Sequence, residues 1–400
     1  MTETTTTPLF HVQIDGLFRM LTPTHISDIA SNMRYDPSTD RILYGETGGI
    51  PMTGQRCMTF RLGKEKEGVD SYVKVPVLPA NGLRGRLRRA AAAELEESFR
   101  SRDRYVTWQT YQGMHCGAVT GTPDGSAPRL DEVRAIRNNL FMGLFGGGQR
   151  LTPSRLKVST ALPVLEGLVE LGAVPEAYKD DAIPNKEARR LMSVLPIVRN
   201  DDLGQYTDPS AERVVENYDD VMQAEFLKDT ARRADRARAA KDDEAQGEKK
   251  SETPRGLRAL SAIQVITPGT PYYVRFNAYC TEAQAGLLLH ALLRLLQQHT
   301  GGIGGKSAVG YGRFAHALTL SVDGERVEPF EGQFEDTQLR GDSELLKRLA
   351  AAFEAELGQL DPDRLHAIIT ASEPGSEEDA PKAAKGKAKG GKAKAVAGAA

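Results

Sequence analysis

A glycine-rich segment with basic and hydroxyl side chains is the part of this sequence best suited to binding chemistry. The segment Gly301–Phe314 reads GGIGGKSAVGYGRF, and its first twelve residues include six glycines. Glycine has no Cβ, so its backbone can approach a ligand closely. The pattern predicts binding of an anionic polymer or a nucleotide phosphate. The predicted contact residues are Gly304, Gly305, Lys306, Ser307 and Arg313.

A nucleoside triphosphate is the first ligand to consider, because Gly-Lys-Ser also closes the P-loop pattern. That pattern requires a glycine at position 300, where the chain has Thr300. Thr281 and Gln284 form a capping-box pattern that opens a leucine-rich helix before the glycines, and residues 313–322 after them alternate like a strand. A P-loop follows a strand and precedes a helix, so a nucleotide-dependent enzyme built around Lys306 is the weaker interpretation.

A second candidate site is the start of the first predicted helix. We expect this helix to begin after Asn81, which is a favourable N-cap residue. The N–H groups and dipole of a helix N-terminus attract phosphate, and several arginines follow at once. The alternative is an amphipathic helix whose polar face happens to use arginine. The predicted contact residues are Asn81, Gly82, Arg84, Arg86 and Arg88.

A third candidate is the glycine cluster that follows Phe145. An aromatic ring and an arginine beside flexible backbone suit stacking on a base and binding of a phosphate. In the competing interpretation, which we favour for Phe145, the ring belongs to the core and the glycines form a hairpin loop. The predicted contact residues are Gly147, Gln149 and Arg150.

Composition sets limits on the function. The formal net charge is −2, but residues 53–106 carry twelve Lys and Arg against seven Asp and Glu. A locally basic surface is sufficient for phosphate contacts. Cys57, Cys116 and Cys280 form no C-x-x-C pair, so neither a zinc site nor a disulfide framework is indicated. No apolar run is long enough to span a membrane and the first residues are polar, so we expect a cytoplasmic protein without membrane partners.

The predicted organisation is one α+β domain over residues 9–330, a helical extension over 331–370 and a disordered Lys/Ala/Gly-rich tail over 371–400. Insertions are expected at 22–76, 101–150 and 200–256. The first is predicted to contain loops and short strands, the second to be loop-rich with a helix near 130–142, and the highly charged part of the third, 225–252, to be solvated or disordered. Further strands are predicted at 9–20, 155–161, 191–199, 257–266 and 272–279, and a helix at 343–357.

Four segments in this order resemble the RAMP superfamily, the CRISPR-associated proteins with an RRM-like ferredoxin fold. They are the strand Phe10–Met20, the helix start Val77–Arg88, the Leu144–Gly146 element followed by the strand Arg155–Val158, and the glycine-rich segment after the leucine-rich helix. The set is most similar to the repeating backbone subunit of CRISPR effector complexes, in particular the type IV version. The resemblance implies an RRM-like ferredoxin palm with large loop and helical insertions.

The resemblance also implies a function. A backbone subunit binds guide (CRISPR) RNA without sequence preference, through phosphates and 2′-OH groups, and leaves the bases free to pair with a target nucleic acid. The implied partners are CRISPR RNA, copies of the chain in a helical filament and other effector subunits. We expect no cofactor, no metal and no catalytic residue.

Two enzymatic alternatives remain open. In type III backbone subunits a loop aspartate supports metal-dependent cleavage of target RNA, and Asp28, Asp36 and Asp40 lie in the corresponding region of this chain. The segment from Asp36 to Asp40 equally predicts a plain turn. A guide-processing endoribonuclease of the same superfamily would use His25 or His115, both of which are predicted to lie in loops, as a general base. The favoured interpretation is that such a lone loop histidine is structural or simply exposed.

Overall fold

The computed structural model describes residues 8–28, 33–45, 48–64, 70–118, 129–200, 219–220, 258–297, 302–332 and 336–371. The predicted solvated segment 225–252 and the predicted tail after Ser372 lie outside these residues. In the part of the chain that is described, no helix is both long and apolar enough to cross a bilayer.

The strands occur in both halves of the chain. In order they are β1 (Phe10–Met20), β2 (Met33–Asp36), β3 (Arg41–Tyr44), β4 (Ile50–Thr53), β5 (Cys57–Lys64), β6 (Asp70–Pro76), β7 (Leu156–Val158), β8 (Leu162–Pro163), β9 (Met192–Asn200), β10 (Arg258–Ile266), β11 (Pro271–Cys280), β12 (Phe314–Val322), β13 (Glu325–Val327), β14 (Phe330–Glu331) and β15 (Gln338–Leu339).

The α-helices are α1 (Ala80–Ser101), α2 (Trp108–Cys116), α3 (Leu130–Asn138), α4 (Leu140–Phe145), α5 (Glu166–Glu170), α6 (Glu282–Leu296), α7 (Glu344–Gln359) and α8 (Pro362–Thr370). Short 3-10 helices follow α5 at Glu176–Asp181 and Asn185–Leu191.

The first sheet has the ferredoxin-like arrangement that the sequence predicts. Its strand order is β13-β12-β1-β11-β7, with β8 also paired to β11. In chain order, β1, α1, β7, β11, α6 and β12 form the β-α-β-β-α-β unit of that fold. The central strand β1 pairs antiparallel with β11 and with β12. The α+β fold class is confirmed.

The main core lies between this sheet and the helices. Alternate residues of β1, including Val12, Ile14 and Phe18, are buried in one cluster with side chains of α1 and α6. The helix α7 covers α6 on its other side. A Cβ on Gly286 of α6 would lie 2.3 Å from the carbonyl oxygen of Leu349 in α7, so glycine permits this close helix contact. Burial on both sides explains why α6 is apolar almost all round.

The predicted capping box of α6 is confirmed. The Thr281 hydroxyl accepts a hydrogen bond from the Gln284 N–H, and the Gln284 side chain accepts one from the Thr281 N–H, each at 3.3 Å. These two bonds satisfy donors that a helix start leaves free. They fix the start of the helix that leads into the glycine-rich segment.

Residues of the first insertion form a second sheet together with two later strands. Its order is β3-β2-β4-β10-β9, in which β10 pairs parallel with β4 and antiparallel with β9. The strands β5 and β6 form a separate antiparallel hairpin. The predicted strands at 191–199 and 257–266 are confirmed as β9 and β10.

Two local predictions need correction. The helix α1 begins at Ala80 with Pro79 as its N-cap, so Asn81 lies in the first turn and does not cap the helix. In residues 101–150, α3 and α4 lie where a single helix near 130–142 was predicted, whereas α2 occupies a region that was expected to be loop. Polar caps begin two of them: Thr107 accepts from the Thr110 N–H, and Asn139 accepts from two N–H groups of α4. These helices have at most nine residues, too few for a clear hydrophobic period.

Candidate nucleic-acid interface

The glycine-rich loop, residues 302–313, connects α6 to β12 and folds back on itself. The N–H of Ile303 donates to the carbonyl of Gly312 at 2.9 Å. Gly312 has φ +81°, and a Cβ there would lie 1.9 Å from the carbonyl oxygen of Ile303. Only glycine permits this contact, because it tolerates both the left-handed conformation and the close approach.

The segment after β1 holds the loop in place through backbone hydrogen bonds. The N–H of Gly305 donates to the His25 carbonyl at 2.8 Å, and the N–H of Gly312 donates to the Pro23 carbonyl at 3.0 Å. The N–H of Arg313 donates to the Thr22 hydroxyl at 2.9 Å. The loop therefore has a defined shape that is anchored to the end of the central strand.

His25 is a structural residue of this anchor, as the favoured interpretation of a lone loop histidine predicted. Its side chain is buried, and its Nδ1 lies 2.7 Å from the Gln264 carbonyl. A carbonyl only accepts, so Nδ1 carries the proton and Nε2 accepts from the Ser27 hydroxyl at 3.1 Å. Burial lowers the pKa of His25; the hydrogen bond to Gln264 opposes this shift, and the charge of Lys306 adds to it. The ring is thus neutral near pH 7, with both nitrogens engaged.

The cations of the loop face solvent. Lys306 and Arg313 are exposed, and within the described residues neither forms an ion pair. Lys306 has φ +61°, a left-handed conformation that costs a residue with a Cβ about 1–2 kcal/mol. Gly305 and the half-buried Ser307 lie on either side of it. Lys306, Arg313 and Ser307 retain the charge and the donors that phosphate binding requires, whereas the N–H of Gly305 is bonded to His25.

The N-terminal half of α1 lies against this loop. The half-buried Arg86 donates to the Gly304 carbonyl at 3.0 Å. Burial, followed by the charge of the exposed Arg89, lowers the pKa of Arg86. Asn81 and Gly82 are exposed in the first turn of the helix. Arg89, one turn after Arg86 on the same side, was not among the predicted contacts, although the i, i+3 spacing indicates it.

The structure removes Arg88 from the candidate contacts. Its guanidinium is buried and donates to four backbone carbonyls, at distances from 2.6 to 3.2 Å, which belong to Gly113, Met114, Phe145 and Gly146. Burial lowers the pKa of Arg88 to about 10, so it stays charged at neutral pH. Its role is to tie α1 to the end of α2 and to the turn after α4.

Arg84 also lies away from the glycine-rich loop. Successive residues of a helix differ by about 100°, so Arg86 and Arg88 leave α1 on opposite sides. Arg84 is one turn before Arg88 and close enough to influence its charge. Arg84 is exposed, and this geometry places it on the side of α1 opposite Arg86, the residue that contacts the loop.

The second glycine segment, residues 146–150, uses its donors internally. The N–H groups of Gly147, Gly148 and Gln149 donate to the carbonyls of Thr152, Gly117 and Ile369 at 2.8 to 3.1 Å. The Arg150 side chain pairs with Glu132 at 2.9 Å and is 12% exposed. Phe145 is buried, as the favoured interpretation predicted. The segment packs the helices together and has little left to offer a ligand.

The loop acids are engaged in local structure. Asp36 accepts from Ser38 and Thr39 in the turn between β2 and β3, and these hydrogen bonds lower its pKa. Asp40 accepts from the Tyr35 hydroxyl at 2.8 Å, and Asp28 pairs with Arg56 at 3.0 Å. The prediction of a plain turn from Asp36 to Asp40 is confirmed.

His115 does not lie in a loop. It belongs to α2, where its ring hydrogen-bonds to Glu96 at 2.5 Å. Among the described residues, no group of three or more His, Cys, Asp or Glu is arranged to hold a metal ion.

Comparison with known proteins places the chain in a family. The RAMP superfamily model matches residues 17–315, which include β7, β11, both crossover helices of the sheet and the glycine-rich loop. No curated protein matches. A solved structure titled "Type IV-B CRISPR Complex" has a similar chain, with 16% sequence identity, a TM-score of 0.40, and coverage of 78% of this chain and 90% of that one. The matched family and the ferredoxin-like sheet agree, and the chain belongs to the RAMP superfamily.

Proposed function

We propose that the protein is a guide-RNA-binding backbone subunit of a CRISPR effector complex, most similar to the type IV kind. The observation that carries the proposal is the anchored glycine-rich loop, whose cations Lys306 and Arg313 face solvent without a carboxylate partner in the described part of the chain. Within a cytoplasmic ribonucleoprotein, copies of the chain would line up along one CRISPR RNA and join the other effector subunits.

The contacts of this loop favour recognition of the RNA backbone. Ammonium, guanidinium and hydroxyl groups of Lys306, Arg313 and Ser307 suit phosphate and 2′-OH oxygens, and such contacts carry no base information. A rigid loop repeated in every subunit would hold the RNA at regular intervals. The bases, which the protein would not contact, would then stay free to pair with a target nucleic acid.

Purification tests this proposal. The protein should elute as a large assembly with small RNA bound, visible as an excess of nucleic-acid absorbance over protein absorbance. A double variant, Lys306→Ala with Arg313→Ala, should elute smaller and with less RNA bound, with an unchanged melting temperature because both side chains are exposed. A parent protein that elutes as an RNA-free monomer contradicts the proposal.

The proposal includes no cleavage, because each of the loop acids Asp28, Asp36 and Asp40 already has a local partner. A labelled RNA annealed to the bound guide should stay intact with Mg²⁺. Regularly spaced fragments that disappear with EDTA, and again in Asp36→Ala or Asp40→Ala, would instead establish a metal-dependent RNase of the type III-like class.

A further inference from the structure

The face of the first sheet that points away from α1 and α6 carries a row of polar side chains across five strands. Ile14 and Phe276 face the core, so alternation directs their neighbours Gln13 and Asn277 to the opposite face. The register then aligns one residue from each strand in the order β13-β12-β1-β11-β7. These residues are Arg326, Ser321, Gln13, Asn277 and Lys157.

Both ends of this row are positively charged. The side chains of Lys157 and Arg326 are exposed and form no hydrogen bond or ion pair with any described residue. The carboxylate nearest the middle of the face is Asp15, which is 9% exposed and accepts from Gln13 at 2.8 Å and from Tyr178 at 3.3 Å. The exposed Asp323, in the turn after β12, accepts from the His11 N–H at 2.8 Å, so the free charges along the row itself are the two cations.

An exposed aromatic ring lies beside the row. Tyr279 of β11 is opposite His11 of β1, and its side chain is 58% exposed. The neighbouring polar groups are not fully satisfied. The Nε of Arg275 and the Oδ1 of Asn277 are buried without a hydrogen-bond partner in the described structure. Buried polar atoms rarely stay unpaired, so this part of the face has hydrogen-bonding capacity for water or a ligand.

This face is distinct from the glycine-rich loop. Leu21, whose N–H donates to the Arg313 carbonyl, marks the loop end of β1. Gln13 is eight residues before it, which corresponds to about 27 Å along an extended strand. At the end nearer the loop, the face is covered by residues 164–191, which include α5 and pack against Leu17 and Tyr273. Only the half around Gln13 is open.

We propose that this open half is a second nucleic-acid site, which binds a short single-stranded segment. Tyr279 stacks on a base, and Lys157 and Arg326 contact phosphates. The Gln13 amide, which donates to Asp15 and accepts from Arg275 at 2.9 Å, lies between these contacts. The cores of protein interfaces are depleted in charge, and a row with a cation at each end suits a polyanion better than a second copy of the chain. The site shares no residue with the proposed guide contacts.

Fluorescence anisotropy with a short labelled single-stranded RNA tests this site in the full chain. In the background of Lys306→Ala with Arg313→Ala, Tyr279→Ala should weaken the remaining binding about tenfold, and Tyr279→Phe should retain it because the ring can still stack. Lys157→Ala should weaken binding and reduce its salt dependence. Tyr105→Ala, which removes another exposed tyrosine elsewhere, is the matched control and should have no effect. A DNA probe of the same sequence shows whether the site prefers ribose.

The outcomes separate this site from the guide site. Equal binding by the Tyr279→Ala variant and its parent overturns the second site and leaves the glycine-rich loop unaffected. A loop variant that binds as the parent does would overturn the guide proposal and leave this one intact. A Tyr279→Ala variant that assembles into smaller particles with unchanged RNA affinity would assign the face to a second copy of the chain and would overturn the nucleic-acid site.

Discussion

The two glycine-rich segments of this chain look alike in sequence and differ in what their backbones do. In residues 146–150, three successive N–H groups bind internal carbonyls, and Arg150 pairs with Glu132. In residues 302–313, hydrogen bonds fix the shape of the loop but leave Lys306 and Arg313 exposed without an acid partner in the described structure. The first segment holds helices together, and the second presents charge on a rigid support.

The comparison teaches that glycine content alone does not identify a binding loop. Glycine permits close approach, and the approaching group can be the protein's own backbone as readily as a ligand. The deciding feature is whether donors and cations remain after the fold has formed. Two arginines of α1, only two residues apart, show a similar contrast. The guanidinium of Arg88 donates to four backbone carbonyls inside the protein, whereas Arg86 lies at the glycine-rich loop and donates to Gly304.

The largest expected effect is the loss of stability in Arg88→Ala. Removing the guanidinium takes a donor from four carbonyls, of which that of Gly113 keeps the Gly117 N–H, and we expect the free energy of unfolding to fall by about 3–4 kcal/mol. Arg84→Ala, one turn earlier and exposed, is the matched control and should change it by less than about 0.5 kcal/mol. Chemical denaturation measures both. Similar values for the two variants would contradict a buried structural role for Arg88.

The next effect concerns shape within the candidate loop. Gly312 and Gly310 have similar positive φ values, but a Cβ on Gly310 meets nothing within 4 Å, whereas one on Gly312 meets the Ile303 carbonyl. Gly310→Ala should therefore cost about 1 kcal/mol of unfolding free energy from conformation alone, and Gly312→Ala about 2–3 kcal/mol with weaker RNA binding. Denaturation and RNA titration of both variants check this. Equal RNA affinities would show that the loop shape does not matter.

A glycine-to-alanine substitution in residues 146–150 tests the difference between the two glycine-rich segments. Gly147 has φ +93°, and a Cβ there would lie 2.3 Å from the Gly117 carbonyl. Gly147→Ala should lower the melting temperature as Gly312→Ala does. It should leave the RNA affinity of the folded protein unchanged, since this segment contributes packing only.

The smallest effect is the pH dependence due to His25. Because its pKa is lowered in the folded protein, the unfolded chain binds more protons below its normal pKa of about 6.5. The contribution of the neutral His25 ring to the free energy of unfolding is therefore fully present above that pH and is lost as the pH falls below it. His25→Gln should remove this part of the pH dependence. The buried His290 and His316 have lowered pKa values too, and they contribute equally to parent and variant. An unchanged pH profile of stability in the variant would contradict the assignment.

Sequence reasoning recovered the elements with strong local signals. The strands β1, β10 and β11 alternate, and α6 has both a capping box and a long apolar run, so periodicity identified them. The helices α2 and α4 have only nine and six residues, and their caps Thr107 and Asn139 were too weak a signal by themselves.

The roles of individual side chains depended on contacts far apart in sequence. The position of Arg88 follows from carbonyls at Gly113 and Phe145, and the anchor at His25 follows from Gln264, more than two hundred residues away. The register across β13, β12, β1, β11 and β7 likewise brings together five residues that no local pattern connects. Such contacts are set by the tertiary fold, and composition and spacing do not contain them.

The most direct test of the central claim is the salt dependence of single-stranded RNA binding. Each phosphate contact contributes about 0.7 to the slope of the logarithm of affinity against the logarithm of salt concentration. The double variant Lys306→Ala with Arg313→Ala should reduce that slope by about 1.4, whereas Arg150→Ala should leave it unchanged. That result would establish that the exposed loop, and not the packed one, binds the RNA backbone. An unchanged slope in the double variant, or a reduced slope in Arg150→Ala, would contradict the account.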